Sequence, residues 1–208
     1  PVHHEIIEIG AVKVQDGEII DRFSTFVNPR VPISFEIENL TGINDSMVAE
    51  APGVENILPQ FLEFCRDCAV VAHNADFDVG FVAHKAQNLG LEFSPTVVDT
   101  VSLARMLLPG LKRFKLDTIA RHLNISLENH HRAVDDAECT AYIFLEFVKM
   151  LAERGVENLD QLNETGQPDP ELIKKLPMYH VIILAKNDTG RVNLYRLVSE
   201  SHITYYAR

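Results

Sequence analysis

The sequence predicts a mixed α/β domain. Three observations carry that expectation. Residues 5–14 and 18–27 are rich in branched apolar residues and flank Asp16-Gly17, a strong hairpin signal. From residue 69 onward, short apolar strands alternate with helical stretches. From Ala133 an apolar stripe of Val134, Ala137, Ala141, Phe144, Leu145, Val148 and Leu151 repeats every 3.6 residues.

In order, residues 5–14 read as a strand, and residues 18–27 return with Ile20, Phe23, Phe26 and Val27 as their apolar content. Residues 33–52 read as irregular with short helical pieces, among them Leu40-Thr41-Gly42-Ile43. Residues 54–65 show helical spacing at Val54, Ile57, Leu58, Phe61, Leu62 and Phe64. Ala69 to Ala72 reads as a short buried strand, followed by a helix from about Ala75 to Gln87 that Gly90 ends. Thr96 to Asp99 is a second short strand leading into a helix at 100–108, and Leu116 to Leu123 is another helix. After Gly155 the character changes. Glu164 to Pro170 reads as a linker, residues 178–186 as a new strand, Asn187 to Gly190 as a turn, and Val192 to Ile203 as amphipathic. The expected organisation is a domain over 1–155, a linker over 156–177 and a fragment of a further domain over 178–208.

The chain has 208 residues, 46% hydrophobic and 24% charged, with a formal net charge of −11. This suits one domain of ordinary size with a small appendage. The acidity speaks against a non-specific duplex binder, which is ordinarily basic. It fits a nuclease whose carboxylates are neutralised by metal. Three cysteines make no disulfide framework and point to a reducing compartment. Cys65-Arg66-Asp67-Cys68 without a second pair is a weak zinc signal, read more simply as the end of an amphipathic helix. No signal peptide or membrane-length apolar run is visible, so the expected location is the cytoplasm and no membrane partner is expected. The first residue is Pro rather than Met, the mark of a processed chain or of a piece of something longer.

Two stretches concentrate chemistry. In His73-Asn74-Ala75-Asp76-Phe77-Asp78, the acid Asp78 falls in the first turn of a helix that follows a strand, facing the end of the sheet where α/β folds place ligands. An Asp there also serves as plain dipole stabilisation, and Phe77 as helix core. In His131-Arg132-Ala133-Val134-Asp135-Asp136, His131 precedes the long helix and titrates near neutral pH, so it can accept a proton from water. Periodicity does not choose between Asp135 and Asp136 as the metal ligand. His130 reads as an exposed loop residue.

Together these stretches resemble the second and third motifs of the DnaQ-like, or DEDDh, 3′→5′ exonucleases. The resemblance runs over residues 1 to about 155. It includes Glu5-Ile6-Ile7-Glu8-Ile9-Gly10-Ala11-Val12, Leu40-Thr41-Gly42-Ile43 and Val98-Asp99-Thr100. It implies an RNase H-like mixed sheet flanked by helices, and a two-metal mechanism releasing nucleoside 5′-monophosphates with Mg²⁺ or Mn²⁺. Asp78 and Asp136 become metal ligands, the family spacing selecting Asp136 over Asp135, and His131 the base. His73, Asn74 and Phe77 would contact the terminal nucleotide. Leu40 and Thr41 would pack on the last base of a frayed single strand.

The tail, Tyr179 to Asn187 and Asn193 to Leu197, resembles part of the polymerase-and-histidinol-phosphatase (PHP) domain of bacterial replicative polymerases. An exonuclease running into such a segment is the arrangement of the PolC-type DNA polymerase III α subunits. The implied partners are a single-stranded 3′ DNA end, the rest of a polymerase polypeptide, and the sliding clamp and replisome. The family's first motif, Asp-x-Glu-Thr-Thr-Gly, belongs a few residues before Pro1, on a first strand in the middle of the sheet. Glu5 and Glu8 are the only nearby acids. Placed on the following strand in Glu-x-x-Glu spacing, they project to opposite faces and do not substitute for it. Without the first strand, the hairpin and the strand near residue 70 are expected to stand about 10 Å apart rather than hydrogen-bonded. The alternative reading is an inactive exonuclease fold that binds DNA ends or scaffolds a polymerase.

Overall fold

The computed structural model describes residues 4–126, 132–165 and 188–203. The chain divides into two compact units, residues 1–155 and 156–208. In the first unit, β1 (Glu8–Gln15) and β2 (Glu18–Phe26) form an antiparallel hairpin. Asp16 (φ 52°) and Gly17 (φ 85°) both adopt left-handed conformations, as a tight hairpin turn that follows strand twist demands. The register runs from Glu8 opposite Phe26 to Lys13 opposite Asp21, then shifts at Val14, which faces Ile19. Ile20 is the residue left over by this bulge. It is 54% exposed, so the strand's alternation fails at that position.

Next come α1 (Phe35–Thr41), α2 (Asp45–Val48) and α3 (Val54–Phe64). The apolar stripe of α3 buries Ile57, Leu58 and Phe61 against Ile9 of β1, Val27 and Ala86. β3 (Val70–Ala72) pairs in parallel with β4 (Val97–Asp99), setting Ala72 opposite Asp99. Between them lies α4 (Ala75–Asn88), after which Gly90 turns the chain at φ 68°. β3 is half-buried rather than buried, because β4 is its sole ladder partner among the described residues. The hairpin and the β3–β4 pair are separate sheets with no ladder between them, as the sequence reading expected.

α5 (Thr100–Leu107) follows β4 directly, then α6 (Leu116–His122) and the long α7 (Ala133–Glu153). α7 packs on β1, β2 and β3 and on α5 and α6, so one helix spans both sheets. Its Ile143 and Phe147 are fully buried. The close approach to β1 depends on Gly10. A Cβ there would lie 2.2 Å from the carbonyl carbon of Ala133 and from the nitrogen of Val134.

In the second unit, α8 (Leu159–Thr165) occupies part of the stretch read as linker. α9 (Asp188–Ile203) begins within the residues expected to form a turn, so Asp188 to Gly190 are helical. The strand expected over 178–186 lies outside the described residues. No helix among the described residues is long and apolar enough to cross a membrane.

Candidate active site

The parallel pairing of β3 with β4 brings the ends of both strands side by side, and both helices that follow start there. One carboxylate organises the junction. Asp99 Oδ1 accepts from the backbone N–H of Asn74 (2.9 Å), Ala75 (3.4 Å) and Val101 (3.1 Å), while Oδ2 accepts from the Ser102 hydroxyl (3.0 Å). It thus meets orphan donors at the heads of α4 and α5 together. Asn74 sits in the left-handed region at φ 67°, a conformation Asn tolerates better than most residues.

His73 is held from two sides. Its Nε2 lies 2.9 Å from the Phe114 carbonyl and must carry the proton to bond there. Its Nδ1 lies 2.9 Å from the hydroxyl of the fully buried Thr100. Burial pushes the His73 pKa down, against the opposing pull of the Phe114 carbonyl, Asp99 and Asp136. In the neutral ring so favoured Nδ1 is an acceptor, and the Thr100 hydroxyl lies within reach of both it and the Ala72 carbonyl (3.3 Å). Both ring nitrogens of His73, a residue expected to contact the terminal nucleotide, therefore lie against groups of the protein itself.

Asp78 lies in the first turn of α4 and Asp136 in the first turn of α7. The residue Asp78 keeps an exposed surface, yet the protein around its carboxyl removes enough water to raise its pKa, and the charge of Asp136 raises it further. The same Asp136 charge reaches His73 and Cys139. Asp135 and Asp136 are equally half-buried, so burial does not separate them, but Asp136 is the acid whose field falls on Asp78.

The head of α7 and the last turn of α4 are tied to the start of the hairpin by the two glutamates set aside as ligands. Glu8, its side chain 5% exposed, accepts from Arg132 Nε (2.8 Å) and from the N–H of Ala133 (3.0 Å) at the start of α7. The Arg132 guanidinium also lies over the Phe26 ring at 4.8 Å. Glu5 takes the nearly buried Lys85 ammonium of α4 at 2.6 Å. Glu5 precedes β1 rather than lying on it, so the alternation argument does not apply to it.

Of the remaining residues singled out by sequence, Phe77 is 61% exposed with its ring 5.0 Å from Phe81. Leu40 is 64% exposed on α1, a helix with no buried residue. The Thr41 hydroxyl donates to the Ile37 carbonyl and accepts from the Ile43 N–H. The structure thus brings His73, Asn74, Asp78 and Asp136 to one place and leaves Leu40 and Thr41 on a separate short helix. His131 lies outside the described residues. Asp99 had a local signal, an acid at the end of a strand just ahead of a helix, but Glu8 and the Phe114 carbonyl had none.

Two carboxylates are hard oxygen donors suited to Mg²⁺ or Mn²⁺, and a bound cation would offset the Asp136 charge that adds to the effect of burial on Asp78. Among the described residues no group of three or more His, Cys, Asp or Glu is placed to hold a metal.

The family model described as Exonuclease matches residues 1–144. The chain is 52% identical over 205 residues to the PolC-type DNA polymerase III of Clostridium perfringens, covering 98% of this chain and 14% of that protein. It is 47% identical over 207 residues to the same-named protein of Caldanaerobacter subterraneus, covering 100% and 15%. The chain thus spans about one seventh of the length of these curated relatives. Among solved structures, exonuclease X in complex with 5′-overhanging duplex DNA matches with TM-score 0.58 and 27% identity over 73% of this chain and 87% of that one. The nuclease domain of 3′hExo, a DEDDh family member bound to rAMP, matches with TM-score 0.62 and 19% identity over 72% and 84%.

Proposed function

The chain belongs to the exonuclease family, and from that premise we propose that it is the 3′→5′ proofreading exonuclease module of a PolC-type replicative DNA polymerase. The observation that carries the reading is the placing of Asp78 and Asp136 in the first turns of two different helices, α4 and α7, that both pack on β3. Its substrate is a single-stranded 3′ DNA end, cleaved to nucleoside 5′-monophosphates. Its surroundings are the rest of the polymerase polypeptide and, through it, the sliding clamp and replisome in the cytoplasm.

Asp78 and Asp136 would hold divalent metal, Mg²⁺ or Mn²⁺ as two ions in the complete site, which when bound supplies a polarised phosphodiester and an acidified water. His131 would take the proton from that water at an imidazole nitrogen. Asp99 and His73 keep the β3–α4 junction rigid, so Asp78 does not have to be ordered as substrate arrives. Asn74 and Phe77 would meet the terminal nucleotide, the exposed Phe77 ring offering a stacking face. Leu40 and Thr41 would pack on the last base. A mismatched end enters more readily because less pairing is left to melt.

The test is Asp78→Ala in the parent polymerase, assayed on a primer with a 3′ mismatch in Mg²⁺ and in Mn²⁺. The expected result is loss of release of nucleoside 5′-monophosphate by about a hundredfold or more, with polymerisation retained. Undiminished release would overturn the assignment.

A further inference from the structure

Between Arg105 and Arg121 the chain carries five cations (Arg105, Lys112, Arg113, Lys115 and Arg121) against one acid, Asp117, although its formal net charge is −11. All five are exposed. Elsewhere in the same unit, Arg22, Arg30, Arg66, Lys85, Arg132 and Lys149 each lie on a carboxylate. Among the described residues, Lys112, Arg113 and Lys115 have no carboxylate partner. These three occupy the short connection between α5 and α6, where like charges crowd without compensation.

A basic run is often only a solvated face. Here its position argues otherwise. The Phe114 carbonyl, between Arg113 and Lys115, accepts from Nε2 of His73, the residue that leads into Asn74 and the helix carrying Asp78. The Phe114 ring in turn lies 5.8 Å from the Arg105 guanidinium. The basic connection is therefore bonded directly to the catalytic junction. Resting on the exonuclease reading, we propose that Lys112, Arg113 and Lys115 form a phosphate-binding rail for the single DNA strand on the 5′ side of the scissile bond. A strand whose last phosphodiester lies at Asp78 and Asp136 must leave the acidic site past some neighbouring surface, and this one is positively charged and uncompensated. The rail reads charge and not sequence, and it holds the strand without taking part in the chemistry.

The test uses this chain with labelled oligothymidylates, a trimer and a dodecamer, in EDTA over a series of NaCl concentrations, read by fluorescence anisotropy. In Lys112→Ala/Arg113→Ala/Lys115→Ala, dodecamer affinity at low salt should fall by about tenfold or more. The slope of log K against log salt should flatten by about 2, three contacts at about 0.7 each. Trimer binding should change little, because it does not reach beyond the site. Arg66→Ala/Lys149→Ala, which removes two ion-paired cations elsewhere, should behave as the unaltered chain. Lys112→Arg/Lys115→Arg should restore the slope, which a variant harmed through misfolding would not allow. An unchanged dodecamer slope in the triple variant, an equal loss for trimer and dodecamer, or no dodecamer binding by the unaltered chain would each overturn the rail. A cation set kept for an acidic protein partner would give the first of these results. Nucleotide release that survives Asp78→Ala would sink the exonuclease reading alone, since the slope is measured without metal or turnover.

Discussion

The Glu8 carboxylate on β1 accepts the backbone N–H of Ala133, the first residue of α7, at 3.0 Å. An acid near the start of the chain thereby caps the helix that presents Asp136, and the same carboxylate binds Arg132. The bond does the work of an N-cap side chain, which the local residue at that position, Arg132, does not supply.

Glu8→Ala should therefore cost about 2 kcal/mol, the loss of a helix cap together with a partner for a charged group. Glu8→Gln, which keeps an acceptor oxygen, should cost roughly half as much. Urea unfolding of both variants checks this. Equal stabilities for Glu8→Ala and the unaltered chain would show that the cap carries no weight.

Gly10→Ala should destabilise by about 1–3 kcal/mol, because the new methyl would lie 2.2 Å from backbone atoms of Ala133 and Val134, which cannot rotate aside. The displacement of α7 would carry Asp136 with it, so nucleotide release by the parent polymerase should fall as well. Gly110→Ala meets nothing within 4 Å and should stay within about 0.5 kcal/mol. Denaturant midpoints for the pair decide the matter.

Asp78 supplies a pH argument. Its folded pKa is raised, by burial above all and also by Asp136, against the lowering pull of a backbone hydrogen bond, so the fold prefers its neutral form. A raised acid contributes stability below its unfolded pKa, about 3.9, and that contribution is lost as pH rises through the folded value. At neutral pH without metal, Asp78→Asn should therefore raise the melting temperature rather than lower it, while abolishing most of the further rise produced by Mn²⁺. A lower melting temperature for Asp78→Asn in EDTA would contradict the burial and repulsion described above.

Burial pushes the Cys65 and Cys139 thiols up to about 11, with Cys68 and Asp136 respectively adding to the shift. Both should resist iodoacetamide near pH 8 and react quickly once urea unfolds the chain, which peptide mass mapping would reveal. By the same sign rule, stability should be lost as pH rises from the ordinary thiol value of 9.0 towards 11. Flat stability across that window would count against the burial of the two thiols.

Much of this molecule is written locally. Asp16-Gly17 dictates a tight turn, the stripe from Val134 to Leu151 dictates α7, and Gly90 ends α4, because each signal acts between near neighbours on the chain. The spacing around Asp78 and Asp136 is likewise legible, since it depends on the first turn of each helix. Ile20 escaped because a one-residue bulge changes which face a side chain takes without changing composition. The start of α9 at Asp188 escaped because turn residues also begin helices. Only the tertiary structure turned Glu8 from a rejected ligand into the cap of α7, made Asp99 the common clamp of α4 and α5, and occupied both nitrogens of His73. Apart from the local bonds of Asp99 to Val101 and Ser102, those roles rest on hydrogen bonds between residues that lie 24 to 125 positions apart. Periodicity and turn chemistry carry no information about such meetings. They arise when α7 lands on Gly10 and β3 pairs with β4.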